Sequence, residues 1–297
     1  MQRRNFIRQS TCLAAAAFVP ISNFSMPFKQ KFKMGLQLFT IRDAMAEDPL
    51  NTLKSVKALG YDDLEIYGYK GDVDTYYGYK SFDFNTILKD VGLTATSGHY
   101  DFSSYFDKPI DDLKKYVDQC IEGATNIGSK YITWPWLAPD YRTIENFKIL
   151  AYKLNTIGER VTAAGLGFAY HNHDFEFTDH AGENGYDIIL KDTDSSLVKL
   201  QMDLYWVVRS SKLTPKELIA NQPGRYVMWH IKDMDKITQD YTELGNGSIN
   251  YPEILPDPSL SGLEFYYLEQ GGNFAQNSMQ SITDNALYFK ENLQNYF

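Results

Sequence analysis

The segment Tyr170-His171-Asn172-His173-Asp174-Phe175-Glu176 closes a short apolar run that begins at Leu166. It holds two of the chain's five histidines and two acids within six residues. Three later apolar runs end in the same manner, in Asp203, in His230 and in Glu269. Short β-type runs that each end in a metal-type ligand are typical of a barrel whose site lies at the carboxyl ends of its strands.

The spacing of the strand candidates predicts the rest of the fold. Eight of them follow one another at intervals of 28 to 37 residues, the length of one βα unit. They begin near Met34, Leu64, Thr94, Tyr131, Leu166, Val198, Tyr226 and Leu263. Segments with helical periodicity lie between them at 50–59, 84–91, 110–127, 143–164, 182–196 and 214–221, and another follows at 278–292.

Eight strands alternating with helices predict a single α/β domain, a (β/α)8 TIM barrel over residues 30–297. A doubly wound open sheet is the competing fold. Such a sheet usually has fewer strands and carries a Gly-rich phosphate loop. The sequence contains no such loop.

The first 26 residues form a separate segment. A basic stretch, 3–8, precedes the apolar run 13–19, and no acid occurs before Asp43. This pattern resembles a twin-arginine export signal, so we expect an exported, periplasmic protein. A disordered basic tail is the alternative interpretation. No later stretch is apolar for 18 residues, so no membrane insertion of the mature chain is expected.

The overall charge of the chain argues against a nucleic-acid partner. The net charge is −9, and removal of the three arginines in the export segment makes it −12. Binding to nucleic acid requires a basic surface that neutralises phosphates. The charge is compatible with a small, neutral substrate.

His171, Asp203, His230 and Glu269 form a candidate metal site. Divalent cations that polarise carbonyl groups take imidazole and carboxylate ligands held around an open position. A single His or Asp at a strand end is more often a helix cap or a buried hydrogen-bond partner. Four such residues at four consecutive strand ends favour one divalent metal ion.

Further candidates surround this set, and each has two interpretations. His173 has the same strand parity as His171, so it is an alternative ligand or supports one. Glu176 is an acid–base candidate or a hydrogen-bond acceptor for substrate. His99, at the end of the third strand, either contacts substrate or makes a hydrogen bond at the rim. Glu65 orients a ligand or forms an ion pair at the rim.

Lys232 lies two residues after His230 and so on the same face of the strand. Its side chain is expected to point inward, where it could stabilise an enolate oxygen. Its alternative role is a surface ion pair with Asp233. Trp134, Trp136 and Trp206 also lie close to strand ends. Tryptophan is usually a core residue, but this clustering indicates flat apolar walls on which sugar rings stack.

These motifs resemble the xylose-isomerase-like TIM barrel superfamily, in the group of sugar phosphate isomerases and epimerases. The segments 34–42, 170–176 and 230–233 and the pair Met202-Asp203 carry the resemblance, which extends over about residues 34–292. It implies one divalent metal ion, Mn²⁺, Co²⁺, Mg²⁺ or Zn²⁺, held by four strand-end ligands. Asp203, His230 and Glu269 match three of them. The ketose 3-epimerases of the superfamily have a glutamate at the fourth, where this chain has His171.

The activity that the resemblance implies is a sugar isomerase or epimerase. It would abstract a proton α to a sugar carbonyl through a metal-stabilised enediolate, with Glu269 or Glu176 as the base. A hydratase or lyase acting on 3-keto-glycosides is the main alternative, and it suits an exported protein better than sugar phosphates do. A non-catalytic sugar-binding barrel is a third hypothesis. The acidic charge and the five histidines argue against a DNA-repair endonuclease. The sequence leaves homo-oligomerisation open.

Overall fold

Eight parallel strands close into a barrel in which each strand pairs with its neighbours in the chain and the last pairs with the first. The structure is a computed structural model that describes residues 32–297, so the expected export segment lies outside the described residues. The strands are β1 Gly35–Gln37, β2 Asp63–Tyr67, β3 Thr94–His99, β4 Tyr131–Trp134, β5 Gly167–His171, β6 Lys199–Asp203, β7 Tyr226–Ile231 and β8 Phe265–Leu268. The predicted (β/α)8 barrel is therefore confirmed.

Helices surround the barrel. Each predicted segment contains a helix, and four short helices, at 42–47, 204–210, 251–254 and 258–261, lie outside these segments. They are α1 Arg42–Glu47, α2 Pro49–Ala58, α3 Ser81–Val91, α4 Ile110–Ile127, α5 Ile144–Ala163, α6 Gly185–Asp192, α7 Leu204–Ser210, α8 Pro215–Asn221, α9 Tyr251–Ile254, α10 Pro258–Ser261 and α11 Ser278–Tyr288. The weakly patterned segment 182–196 is helical only over α6. Within residues 32–297, no helix is long and apolar enough to cross a membrane.

Local sequence accounts for several of the helix boundaries. Helix α8 begins with a capping box, in which the side chains of Thr214 and Glu217 bond each other's backbone N–H groups. Helix α4 ends at Gly128, whose φ of 76° lies in the left-handed region that favours glycine. These signals fix where the chain leaves each helix to form the next strand.

The barrel interior directly below its mouth is polar. Glu65 in β2 lies opposite Gln37 in β1 and Ser97 in β3 in the strand register, and all three side chains are fully buried. Barrel interiors are usually filled by branched aliphatic side chains. Apolar residues at the alternate positions, such as Leu64 and Ile66, join the hydrophobic core instead. A polar layer therefore supports the residues at the strand ends.

Candidate active site

The four predicted ligands meet at the carboxyl ends of the last four strands. His171 ends β5, Asp203 ends β6, His230 lies in β7, and Glu269 directly follows β8. The distance from His230 Nδ1 to Glu269 Oε2 is 2.6 Å, and that from His171 Nε2 to Asp203 Oδ2 is 3.7 Å. All four side chains are buried below the barrel mouth. The fold brings together residues that are up to 98 positions apart in the sequence.

This donor set fits a divalent cation. One donor atom from each of Asp203, His230 and Glu269 lies within 4.8 Å of the other two, and His171 belongs to a second such group with His99 and His230. Ligands at about 2.0–2.2 Å from one ion are at most about 4.4 Å apart, so small adjustments suffice. Burial lowers the pKa of His171 well below its usual range, with the nearby His230 adding to the effect. The neutral imidazole that results is the form that binds metals.

Lys232 places an ammonium group between two of these carboxylates. Its Nζ lies 2.6 Å from Asp203 Oδ2 and 2.8 Å from Glu269 Oε2, and the side chain is buried. Burial alone would lower the pKa of Lys232, but the two carboxylates outweigh it and raise that pKa above its ordinary value. The inward orientation that strand parity predicted is therefore observed. Asp233, the alternative partner of Lys232, instead accepts hydrogen bonds from backbone N–H groups such as that of Gly245.

The same cations act on Glu269. Burial alone would raise its pKa, but Lys232 and His230 together outweigh burial and hold the pKa of this carboxyl well below its usual range. These two cations therefore favour the carboxylate form of Glu269. Its side chain also lines a cavity at the barrel mouth, the inner cavity, where it can reach a bound molecule.

Glu65 is the centre of the polar layer beneath these residues. Its Oε1 accepts hydrogen bonds from Ser97 Oγ and Gln201 Nε2, both at 2.6 Å, and its Oε2 accepts one from Gln37 Nε2 at 2.7 Å. The sequence analysis missed Gln37, Ser97 and Gln201. A polar residue at an inward position between apolar neighbours, as in Leu200-Gln201-Met202, is the signal that could have found them.

Glu65 also holds the imidazole of His230 in place. His230 Nε2 lies 2.5 Å from Glu65 Oε2, and the opposite ring nitrogen contacts Glu269. Burial alone would lower the pKa of His230, but the two carboxylates raise it to about 9. His99 contacts the same oxygen at 3.0 Å and Gln201 Oε1 at 2.7 Å. Glu65 thus lies in the buried interior in contact with His230, a predicted ligand, and not at an exposed rim.

Glu176 lies behind the site and does not line the cavity. It is fully buried; the Tyr170 hydroxyl donates to Oε1 at 2.7 Å, and the His173 backbone N–H donates to Oε2 at 2.8 Å. Burial raises the pKa of Glu176 to about 8. The carboxyl group thus fixes the backbone that carries His173, whose ring does line the cavity, 4.8 Å from that of His171.

The inner cavity of about 510 Å³ opens above these residues. Its floor includes His99, His171, Lys232 and Glu269, and its walls include Phe39, Tyr67, Tyr69, Trp136 and Tyr241. The volume lies within the range of about 300–1,000 Å³ that small-molecule sites occupy. Apart from Trp136, these aromatic residues were not predicted from the sequence: Tyr67 ends β2, and the others lie beyond the ends of their strands.

The three predicted tryptophans have different surroundings. Trp136 is 40% exposed and lines the inner cavity. Trp134 is fully buried against Phe102, with ring centroids 5.5 Å apart, and belongs to the hydrophobic core. Trp206 packs behind the cavity wall against His173, and the centroids of the two rings are 5.7 Å apart. The structure thus places one of the three where a sugar ring could stack.

Fold and site together define a (β/α)8 barrel with a small-molecule site of imidazole, carboxylate and ammonium groups at its mouth. Neither a protein-family model nor a curated protein matches the chain. Among solved structures, it is similar to two sugar phosphate isomerase/epimerases from Parabacteroides distasonis. One is 24% identical, with a TM-score of 0.75 over 93% of this chain and 99% of that one. The other is 26% identical, with a TM-score of 0.74 over 88% and 98%.

A xylose isomerase-like TIM barrel protein from Mycobacterium smegmatis, solved in complex with magnesium, has the same fold. It is 18% identical, with a TM-score of 0.63 over 89% of this chain and 97% of that one. The resemblance to xylose-isomerase-like barrels that the sequence predicts is therefore confirmed at the level of the fold.

Proposed function

We propose that the protein is a metal-dependent sugar isomerase or epimerase that abstracts a proton α to a sugar carbonyl. The observation that carries the proposal is the convergence of His171, Asp203, His230 and Glu269 beside a 510 Å³ cavity with aromatic walls. The similar barrels described as sugar phosphate isomerase/epimerases support the substrate class, and the one solved with magnesium supports a divalent cation.

The four residues would hold the cation, which, when bound, would supply Lewis-acid polarisation of the sugar carbonyl. The aromatic walls would hold the sugar ring and exclude water from it. His99 and His173, which also line the cavity, would orient the hydroxyl groups of the substrate.

Glu269 is the proposed base, because its carboxyl group lines the cavity beside the other predicted ligands. Its neighbour Lys232 is the group best placed to stabilise the negative charge that develops on the substrate oxygen, since its ammonium is buried and already oriented. Return of the proton from Glu269 to the adjacent carbon would give the isomer, whereas delivery of a proton to the original carbon by a second donor on the opposite face would give the epimer. Glu176 is the weaker candidate for the base because it faces away from the cavity.

The proposal is tested by the metal content and the products of the purified protein. We expect about one equivalent of divalent metal in the parent and none in a double variant, Asp203→Ala with His230→Ala. The matched control is Asp90→Ala with His180→Ala, which removes the same residue types outside the cavity. A screen of ketoses and 3-keto-glycosides should yield products of unchanged mass. A parent that takes up no metal from Mn²⁺, Co²⁺ or Zn²⁺ would contradict the proposal and favour a binding barrel.

A second candidate activity starts with the same abstraction of a proton α to a sugar carbonyl. In a 3-keto-glycoside, the proton next to the keto group passes to the base, a carbon–carbon double bond forms, and the glycosidic oxygen leaves with the electron pair of its bond and takes up a proton. The size of the cavity favours this candidate, because it leaves room beyond one sugar ring. Products of changed mass, with a released aglycone, would identify it.

We also propose that the barrel acts outside the cytoplasm, on the basis of the paired arginines and the apolar run in the first 26 residues. Arg3→Lys with Arg4→Lys should keep the protein in the cytoplasmic fraction, whereas Lys29→Arg should not. Equal distribution of the parent and the double variant would contradict export through a twin-arginine signal.

A further inference from the structure

A second cavity of about 640 Å³, the outer cavity, adjoins the inner one. Tyr69 and Asp101 line both cavities, so the two cavities meet at these residues. The combined space exceeds what a single sugar ring fills, since the inner cavity alone is large enough for a drug-sized molecule.

The outer cavity is built from different parts of the fold. Its residues come from the loops that follow β2 and β3, such as Lys70 and Tyr105, and from helix α4, such as Lys115 and Gln119. None of the four predicted metal ligands lines it. The outer cavity therefore lies beside the predicted metal ligands, and it can contact a ligand molecule without adding reactive groups.

The lining of the outer cavity suits an uncharged molecule with a flat face. Tyr105 stacks on the buried Tyr116, with ring centroids 4.5 Å apart and an interplanar angle of 10°, so the pair forms a rigid aromatic wall. Three lysines and three aspartates balance each other, which disfavours a strongly anionic ligand such as a phosphate. They are Lys70, Lys108, Lys115, Asp72, Asp101 and Asp112.

Two of these lysines are available to a ligand. Within the described part of the chain, neither Lys70 nor Lys115 forms an ion pair, whereas Lys108 lies 3.8 Å from Asp107. Lys115 projects from helix α4 and is exposed. Its ammonium can donate hydrogen bonds to hydroxyl or ether oxygens of a bound molecule.

We propose that the outer cavity binds the substituent of a neutral glycoside, either a second sugar ring or an aromatic aglycone. The reacting ring, which must carry the keto group, would lie on the floor of the inner cavity, as in the proposed function on which this inference rests. The substituent would pass Tyr69 and Asp101 and lie against Tyr105, with Lys115 donating to its oxygens. The substrate is then a glycoside rather than a free monosaccharide or a sugar phosphate.

The test compares paired probes that share one ring: methyl and 4-nitrophenyl β-glucoside, and methyl and 4-nitrophenyl β-galactoside. Affinities are measured by calorimetry or ligand-observed NMR on the metal-supplemented protein. For at least one pair we expect the aryl glycoside to bind about tenfold more tightly, an advantage of about 1.4 kcal/mol. Lys115→Ala and Tyr105→Ala should each remove most of this advantage while the methyl glycoside binds as before.

Lys114→Ala is the matched control, because Lys114 is the adjacent residue of α4 and lies outside the outer cavity. Equal affinity for both members of each pair, or equal loss in Lys115→Ala and Lys114→Ala, would overturn the outer site while leaving the proposed function intact. Absence of binding by every probe, together with absence of metal, would instead reject the proposed function and this inference with it.

Discussion

The Lys232 ammonium lies 2.6 Å from Asp203 Oδ2, so a cation of the chain itself neutralises a carboxylate that is also a proposed metal ligand. The same ammonium contacts Glu269 at 2.8 Å. A buried pair of carboxylates is costly unless a positive charge compensates it. Lys232 therefore compensates these two carboxylates from within the chain, and a bound divalent cation would share or take over this role.

Lys232→Met should make the stability of the protein depend on metal. In the presence of a chelator, the variant should lose about 3–5 kcal/mol of unfolding free energy, because one partner of a buried ion pair is removed. Excess Mn²⁺ should restore most of this loss. Thermal unfolding with chelator and with Mn²⁺ measures both effects, and Lys236→Met, an exposed position, is the control. A variant as stable as the parent in chelator would show that Lys232 does not act as the internal counter-ion.

Glu65→Gln should destabilise the protein as much as a large core substitution does. Both carboxylate oxygens already accept hydrogen bonds, so the amide would direct N–H groups at donors such as Ser97 or Gln37 and remove one of the two carboxylates that contact His230. We expect a loss of about 3–5 kcal/mol in urea-induced unfolding. Glu47→Gln, an exposed position, should change little. Equal midpoints for the two variants would mean that the polar layer contributes no stability.

Glu176→Gln should change how stability depends on pH. The folded-state pKa of Glu176 is raised from 4.5 to about 8, so the folded protein holds this proton where the unfolded chain has released it. The contribution of this bound proton to the free energy of unfolding is fully present below about pH 4.5 and is lost as the pH rises through about 8. The loss is at most about 5 kcal/mol. The neutral amide does not titrate.

The stability of Glu176→Gln relative to the parent should therefore increase steadily from about pH 5 to pH 9. Melting temperatures across this range measure the difference, and groups that titrate in both proteins cancel. Glu183→Gln, an exposed position, is the control. A constant difference between Glu176→Gln and the parent would show that Glu176 is ionised throughout.

Substitution of Trp134 and of Trp136 by alanine should have opposite effects, one mainly on stability and the other mainly on ligand binding. Trp134→Ala removes a fully buried ring and should cost about 3–5 kcal/mol of unfolding free energy. Trp136→Ala removes a ring that is 40% exposed at the cavity wall and should cost about 1 kcal/mol or less while weakening ligand binding. Urea-induced unfolding and titration with the aryl glycosides give the two readouts. Weaker binding by folded Trp134→Ala than by Trp136→Ala would reverse this assignment.

The sequence was sufficient to predict the fold, because the alternation of strands and helices is periodic and locally encoded. Each strand begins within two residues of its predicted start, as at Tyr131 and Tyr226. The meeting of His171, Asp203, His230 and Glu269 was also predictable, since the carboxyl ends of parallel strands share one mouth.

What the sequence could not predict depends on how the closed barrel brings distant strands together. Parity indicated that Lys232 points inward, but its partners come from β6 and from the loop after β8. Beyond a strand end the period of two no longer applies, so nothing local distinguishes Trp134 from Trp136. For the same reason the sequence could not show that Glu176 turns away from the cavity while His173 lines it.

The division of the two cavities between strand ends and loops separates what must be conserved from what can diverge. Mutations in the loops after β2 and β3 can reshape the outer cavity without moving Asp203 or His230, whose positions are set by strand register. Duplicated copies of such a barrel could acquire new glycoside preferences while inheriting unchanged chemistry. Libraries randomised at Lys70, Tyr105 and Lys115 offer a direct route to the same outcome in the laboratory.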